Sequence, residues 1–259
     1  TPVPKDGAGS AITGSVEFGG GTTSNPGGYL TVPNTEDLRL GDSDFTVEAY
    51  VNLSNGAVGD GVIVALWDNT NNQRSYNFYF DISDNDLYFA GSTNGSSANN
   101  SVSASIDIEN NSWHHVAATR SGSTCKLFVN GVELASNISF GGSLNGNTTD
   151  LITIGAQNHD NASNYWKGFI SNLRIVKGTA LYTDDFIPPT RELKKVPGTV
   201  LLCCQDSNNP TQEATGKTIS LNGIYTYDTV VNSGITTTPV STNFTPQVGD
   251  DRKVTFEGV

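Results

Sequence analysis

With 259 residues, 14 Lys and Arg against 26 Asp and Glu, and a formal charge of −12, the chain is acidic, yet only 15% of it is charged. That balance argues against nucleic acid or an anionic membrane surface as a partner, since both are held by Lys and Arg. No apolar run approaches the ~20 residues of a membrane helix, and no basic-then-apolar leader opens the chain, so no membrane insertion is expected.

Residues 1–14 show no core-facing period and are expected to form an extended arm. Short strands are predicted at 15–18 and 29–32, separated by the loop GGGTTSNPGG. The clearest two-residue period follows at 44–53. There Phe45, Val47, Ala49, Val51 and Leu53 share one face, while Thr46, Glu48, Tyr50 and Asn52 share the other. GVIVALWD (61–68) is apolar enough for a central strand, and strands at 75–81 and 86–92 flank a turn. In 101–108, Val102, Ala104, Ile106 and Ile108 are expected inward. Strands at 112–120, 124–131 and 132–134 follow, with Asn130-Gly131 as the two-residue hairpin turn. LITIG (151–155) precedes YWKGFISNLRIVK (165–177), which is apolar on both parities: Phe169, Leu173 and Ile175 on one, Trp166, Ile170 and Val176 on the other. Such a run suits a strand covered on both faces. A turn-rich connection with Pro188 and Pro189 leads to VLLCCQ (200–205).

No segment sustains a helical period with caps. About a dozen short strands ended by Gly, Asn and Asp predict an all-β antiparallel sandwich over 15–205. Beyond it, residues 206–259 hold weak strands and a Thr/Pro-rich tail, expected to dock on a neighbouring subunit. Cys125, Cys203 and Cys204 lack metal-ligand spacing and are expected as buried thiols. Cys203 and Cys204, being adjacent, are expected on opposite faces of their strand.

Few residues offer chemistry. A retaining glycanase needs two carboxylates about 5 Å apart. Glu48 has no acidic partner two or four residues away, and Asp84 and Asp86 sit at a turn, so no enzyme is expected. His114 and His115 face opposite ways, and the third histidine, His159, lies in a loop. For sugar binding, tyrosines on polar faces suit stacking against a pyranose. Parity places Tyr50 with Glu48 and Asn52, Tyr79 with Asn77, and Tyr88 opposite Leu87 and Phe89. Strands favour Tyr in any case, which accounts for the same positions without a ligand. Hard oxygen ligands for Ca²⁺ are available at Asp68, Asn69, Asn158, Asp160 and Asn161, residues that equally serve as turn formers.

Several motifs occur in a familiar order. These are Gly28-Tyr-Leu-Thr-Val-Pro-Asn34 with Asp44-Phe-Thr-Val-Glu48; Ser112-Trp-His-His-Val-Ala-Ala-Thr-Arg120 with Leu127-Phe-Val-Asn-Gly131; and Leu173-Arg-Ile-Val-Lys-Gly-Thr-Ala-Leu-Tyr182 with Phe186, Pro188, Pro189 and Leu201–Gln205. The set resembles laminin-G-like, concanavalin A-like lectin domains, and its last part resembles those of phage and marine-virus structural proteins. The resemblance implies a two-sheet jelly roll that binds or decorates rather than catalyses, with Ca²⁺ held at a loop rim in related modules. It further implies a virion decoration or tail-appendage subunit, assembled in the host cytoplasm. Such a subunit would contact other virion proteins through its termini, form a homo-oligomer on the particle and adhere to host-surface glycans. A free-standing carbohydrate-binding module is the alternative, and a glycanase a third.

Overall fold

The computed structural model describes residues 12–223 apart from 58, 71, 109, 110, 147 and 159, together with short strands at 235–236, 245–248 and 254–257. His159 therefore lies outside the described residues, as does nearly all of the expected arm.

Two antiparallel sheets face each other. The first runs β10 (Val132–Asn137), β9 (Thr124–Val129), β8 (Trp113–Ser121), β3 (Phe45–Leu53), β12 (Lys167–Lys177), β1 (Val16–Gly19) and β15 (Ile235–Thr236), with β13 (Thr199–Cys203) also pairing β12. The second runs β14 (Ser220–Asn222), β2 (Tyr29–Val32), β11 (Ile152–Ile154), β4 (Gly61–Leu66), β5 (Tyr76–Asp81), β6 (Asp86–Gly91) and β7 (Asn100–Ser105). A separate hairpin joins β16 (Thr245–Val248) to β17 (Val254–Glu257). Among the described residues there is no α-helix, only a single 3-10 turn at Glu36–Leu38.

The core lies where the alternation places it. Phe45, Val47, Ala49, Val51 and Leu53 of β3 meet Tyr76, Phe78 and Phe80 of β5 and Leu87 and Phe89 of β6 in one apolar cluster. Removing each such side chain from water contributes roughly 1.5–3 kcal/mol. In β12 the two parities predicted from sequence cross over. Asn172 takes a left-handed φ of 52° and the pairing with β3 shifts between Ser171 and Arg174. This bulge puts Ile170, Leu173 and Ile175 all into the core and turns Phe169 and Arg174 to the outer face. A second left-handed residue, Cys204 (φ 61°), corrects another expectation. It brings the Cys203 and Cys204 side chains to the same core, with their sulfurs 3.8 Å apart.

Residues 206–222 return to their own sandwich. β14 adds an edge to the second sheet by pairing β2, Ile219 enters the core, and Glu213 accepts the N–H groups of Leu202, Thr215 and Lys217.

Candidate functional site

The two outer faces differ. That of the first sheet is closed by the connection at 178–198, which crosses it as a strap. Its ends are tied by backbone and side chain: Leu181 N–H donates to Thr46 Oγ1, Thr119 Oγ1 donates to the Tyr182 carbonyl, and Phe186 N–H donates to the Gly131 carbonyl. Tyr182 and Phe186 stack with centroids 3.6 Å apart and pack on Phe128 and Ala117.

Beneath the strap, Glu48 is fully buried and shares its carboxylate among three partners. Arg174 donates Nε and Nη2 to Oε1 at 2.9 and 2.7 Å, Tyr182 donates its hydroxyl to Oε2 at 2.8 Å, and His115 Nε2 stands 3.0 Å from Oε2. Burial alone would raise the Glu48 pKa, but the Arg174 charge, followed by the His115 and Arg174 hydrogen bonds, holds it at about 2. The Tyr50 hydroxyl donates to the Pro189 carbonyl, and Asn52 is tied to the Asn111 carbonyl.

Glu48, Tyr50 and Asn52 are 0, 1 and 8% exposed. The expected polar face of β3 is therefore an inner layer, and these three residues have no surface on which a sugar could stack. The polar groups of Glu48 and Tyr50 hold the strap, and that of Asn52 holds the Asn111 carbonyl. Sequence reasoning put His115 on the face opposite His114 and gave Arg174 no role. The available signal was a carboxylate, a guanidinium and an imidazole on strands otherwise apolar on both parities, since buried charge requires a partner.

On the second sheet the strand register lays side chains out in rows. Across β4, β5, β6 and β7, Val62, Tyr79, Tyr88 and Ser103 stand side by side. The Tyr79 and Tyr88 rings are near-parallel, at 7° and 5.1 Å between centroids, and both are half-buried. One step along the strands lies a row of small residues with one amide: Thr153, Ala65, Asn77, Ala90 and Ser101. Asn77 is 4% exposed, and its Oδ1 is buried without a hydrogen-bond partner among the described residues.

One step the other way stand carboxylates. Asp81 pairs Asp86, and Asp60, preceding the Gly61–Phe80 pair, comes opposite Asp81. Burial, then the charge and hydrogen bond of Asp81, then the charge of Asp84, raise the Asp60 pKa to about 6. The face is open beyond β6, where Ser101 and Ser105 are exposed. Towards β2 it is covered by the loop 156–165, with Tyr165 packed on Tyr29. Trp67 is not part of the open platform: its Nε1 donates to Asn69 Oδ1 and Arg74 stands over its ring at 5.9 Å.

The residues considered for Ca²⁺ act as turn acceptors. Asp68 Oδ1 takes the N–H and hydroxyl of Thr70 at 2.6 Å, Asn69 Oδ1 takes the indole of Trp67 and Nε of Arg74, and Asn158 Oδ1 takes the N–H of Asn69. Among the described residues no three His, Cys, Asp or Glu side chains gather that could hold a metal ion. Asx-type turns explain why Asp and Asn stand at these strand ends.

Two facing antiparallel sheets, with one outer face strapped shut and the other carrying rings and amides, define a lectin-like β-sandwich. The chain belongs to the family described as the concanavalin A-like lectin/glucanases superfamily (Laminin_G_3), which matches residues 23–184. Among solved structures it is similar to a candidate carbohydrate binding protein from Bacteroides ovatus ATCC 8483, at 18% identity and a TM-score of 0.63, covering 83% of this chain. The chain spans 59% of the length of that structure. It is also similar to the CBM40 of the Ruminococcus gnavus IT-sialidase, at 13% identity and a TM-score of 0.51, over 69% of this chain and 97% of that one. No curated protein sequence matches the chain.

Proposed function

We propose that the chain is a non-catalytic carbohydrate-binding module that takes glycan on the outer face of its second sheet, at Tyr79, Tyr88 and Asn77. The observation that carries this reading is the paired Tyr79 and Tyr88 rings beside an Asn77 oxygen that lacks a donor. A pyranose offers what such a face needs: an apolar C–H face to lie on the rings and hydroxyls to donate to the amide. The names of the two similar structures point the same way. The carboxylates nearby suit binding better than hydrolysis. They stand in one row on one side of the rings, and the row on the other side, Thr153, Ala65, Asn77, Ala90 and Ser101, has no carboxylate to flank a glycosidic bond.

A glycan array probed with the wild type and with Tyr88→Ala tests the reading. Wild-type binding that falls at least tenfold in Tyr88→Ala, with unchanged thermal unfolding, supports it. An array blank for the wild type overturns it.

A second reading, favoured by the resemblance of Leu173–Tyr182 and the Phe186–Pro189 segment to phage structural proteins, places the module on a virion as a decoration or tail-appendage subunit. There it forms a homo-oligomer and contacts its neighbours through its termini. Immunogold labelling of particles with an antibody against the sandwich decides it: label on capsid or tail supports display, and its absence from purified particles removes it.

A further inference from the structure

From the row of carboxylates beside the ring pair we infer the ligand class of this face: an amine-bearing glycan, whose ammonium sits against Asp60, Asp81 and Asp86 while its sugar ring lies on Tyr79 and Tyr88. The inference rests on the carbohydrate-binding reading above and narrows it.

The argument begins with the register. Asp81 follows Tyr79 by two residues on β5 and Asp86 precedes Tyr88 by two on β6, so the acidic row runs parallel to the ring row on the same face. Two residues of strand separate the rows by about 7 Å. A pyranose centred on the rings spans that step with one substituent hydrogen bond of about 2.8 Å. Within the row, Asp60 Oδ2 takes Asn164 Nδ2 at 3.3 Å, Asp81 Oδ1 takes the N–H and hydroxyl of Ser83 at 2.9 and 2.6 Å, and Asp86 Oδ1 takes the Ser105 hydroxyl at 2.5 Å.

None of the three is salt-bridged among the described residues. The charges acting on Asp60 and on both tyrosines come from other acids: Asp81 and Asp84 on Asp60; Asp60, Asp81, Asp86 and the Tyr88 phenol on Tyr79; and Asp86, Asp84 and Asp81 on Tyr88. Carboxylates held in line without a salt-bridged counter-ion repel one another, and any ligand that supplies a cation relieves that repulsion. An anionic sugar meets the same field with the opposite sign. Asn77, on the far side of the rings, holds a buried Oδ1 with no hydrogen-bond partner among the described residues, so an unmet polar group borders the platform there as well. Acidic row, rings and amide thus read one ligand across three successive steps of the sheet.

Calorimetry with four tetrasaccharides of the full-length chain tests this: β1,4-linked glucose, N-acetylglucosamine and glucosamine, which differ only at C2, and a uronic acid oligomer. The glucosamine tetramer is expected to bind about tenfold tighter than the glucose tetramer, the size of one partly screened charge contact. The uronic acid oligomer is expected to be weakest. In Asp60→Asn/Asp86→Asn the preference for glucosamine over glucose is expected to vanish.

If neutral or acidic tetramers bind as well as glucosamine, the ligand class is wrong and the carbohydrate-binding reading stands. A glucosamine preference that survives in the double variant, or in Tyr88→Ala, reflects the overall charge of −12 and also overturns the inference. If no tetramer binds and the glycan array is blank, both fall.

Discussion

Glu48 shows how one residue can be misread when its strand is considered without its cover. It lies on the parity opposite the core set of β3, yet it is wholly buried and held by Arg174, His115 and Tyr182. Removing one member of a buried ion pair leaves the other uncompensated, typically at 3–5 kcal/mol. Glu48→Ala and Arg174→Ala are each expected to lower stability by about that amount in urea unfolding, and the double variant by less than their sum.

The sign with pH is fixed by direction. The Glu48 folded pKa, about 2, lies below its ordinary 4.5, so its contribution is full above pH 4.5 and is lost as pH falls towards 2. Urea midpoints measured across that window are expected to fall in the wild type and to flatten in Glu48→Gln. Asp60 behaves oppositely. Its folded pKa, about 6, lies above 3.8, so stability is greatest below pH 4 and declines as pH rises through 6. Asp60→Asn is expected to abolish that decline in the same measurement.

The strap is the element that gives the molecule its sidedness. Where it passes β9 and β10 the chain needs Gly131, whose φ is 80°, and a Cβ there would lie 1.9 Å from the Phe186 carbonyl oxygen. Gly131→Ala is expected to cost about 1–3 kcal/mol from the backbone conformation alone. It is also expected to raise hydrogen exchange across 178–198 while leaving β5 and β6 protected. Uniform exchange over both sheets would show that the strap is not a separable unit.

The sequence revealed the strands better than the strap. β3 and β8 follow a period of two, and Asn130-Gly131 marks the β9–β10 hairpin, because alternation and turn chemistry are local. The strap carries no period, and its function depends on what lies beneath it. The bulge at Asn172 brings Arg174 to Glu48, a placement that parity along the strand does not show. Tyr79, Tyr88 and Asn77 were legible as outward residues. Their alignment with Asp60, Asp81 and Asp86 was not, since cross-strand register is a long-range property.

At the scale of the whole molecule, the stretch after the last long strand belongs to the sandwich. Ile219 is in the core, β14 covers the edge of β2, and Lys217 meets Asp37 at 2.6 Å. A chain ending at Gln205 is expected to melt several degrees below one ending at Gly223, and to associate through the uncovered β2 edge; thermal scans and light scattering on the two forms measure both effects. Equal melting of the two would make β14 a passive neighbour.

The strap has a further consequence for how such a module holds on to its target. With one broad side sealed, each copy on the proposed reading is monovalent, and one or two sugars on a shallow platform bind weakly. Retention then comes from number: copies carried side by side turn each later contact into an intramolecular event, and avidity exceeds the single-copy affinity by about 10²–10⁴ where spacing permits. The density at which copies are presented, rather than any one contact, would set how long the assembly stays attached.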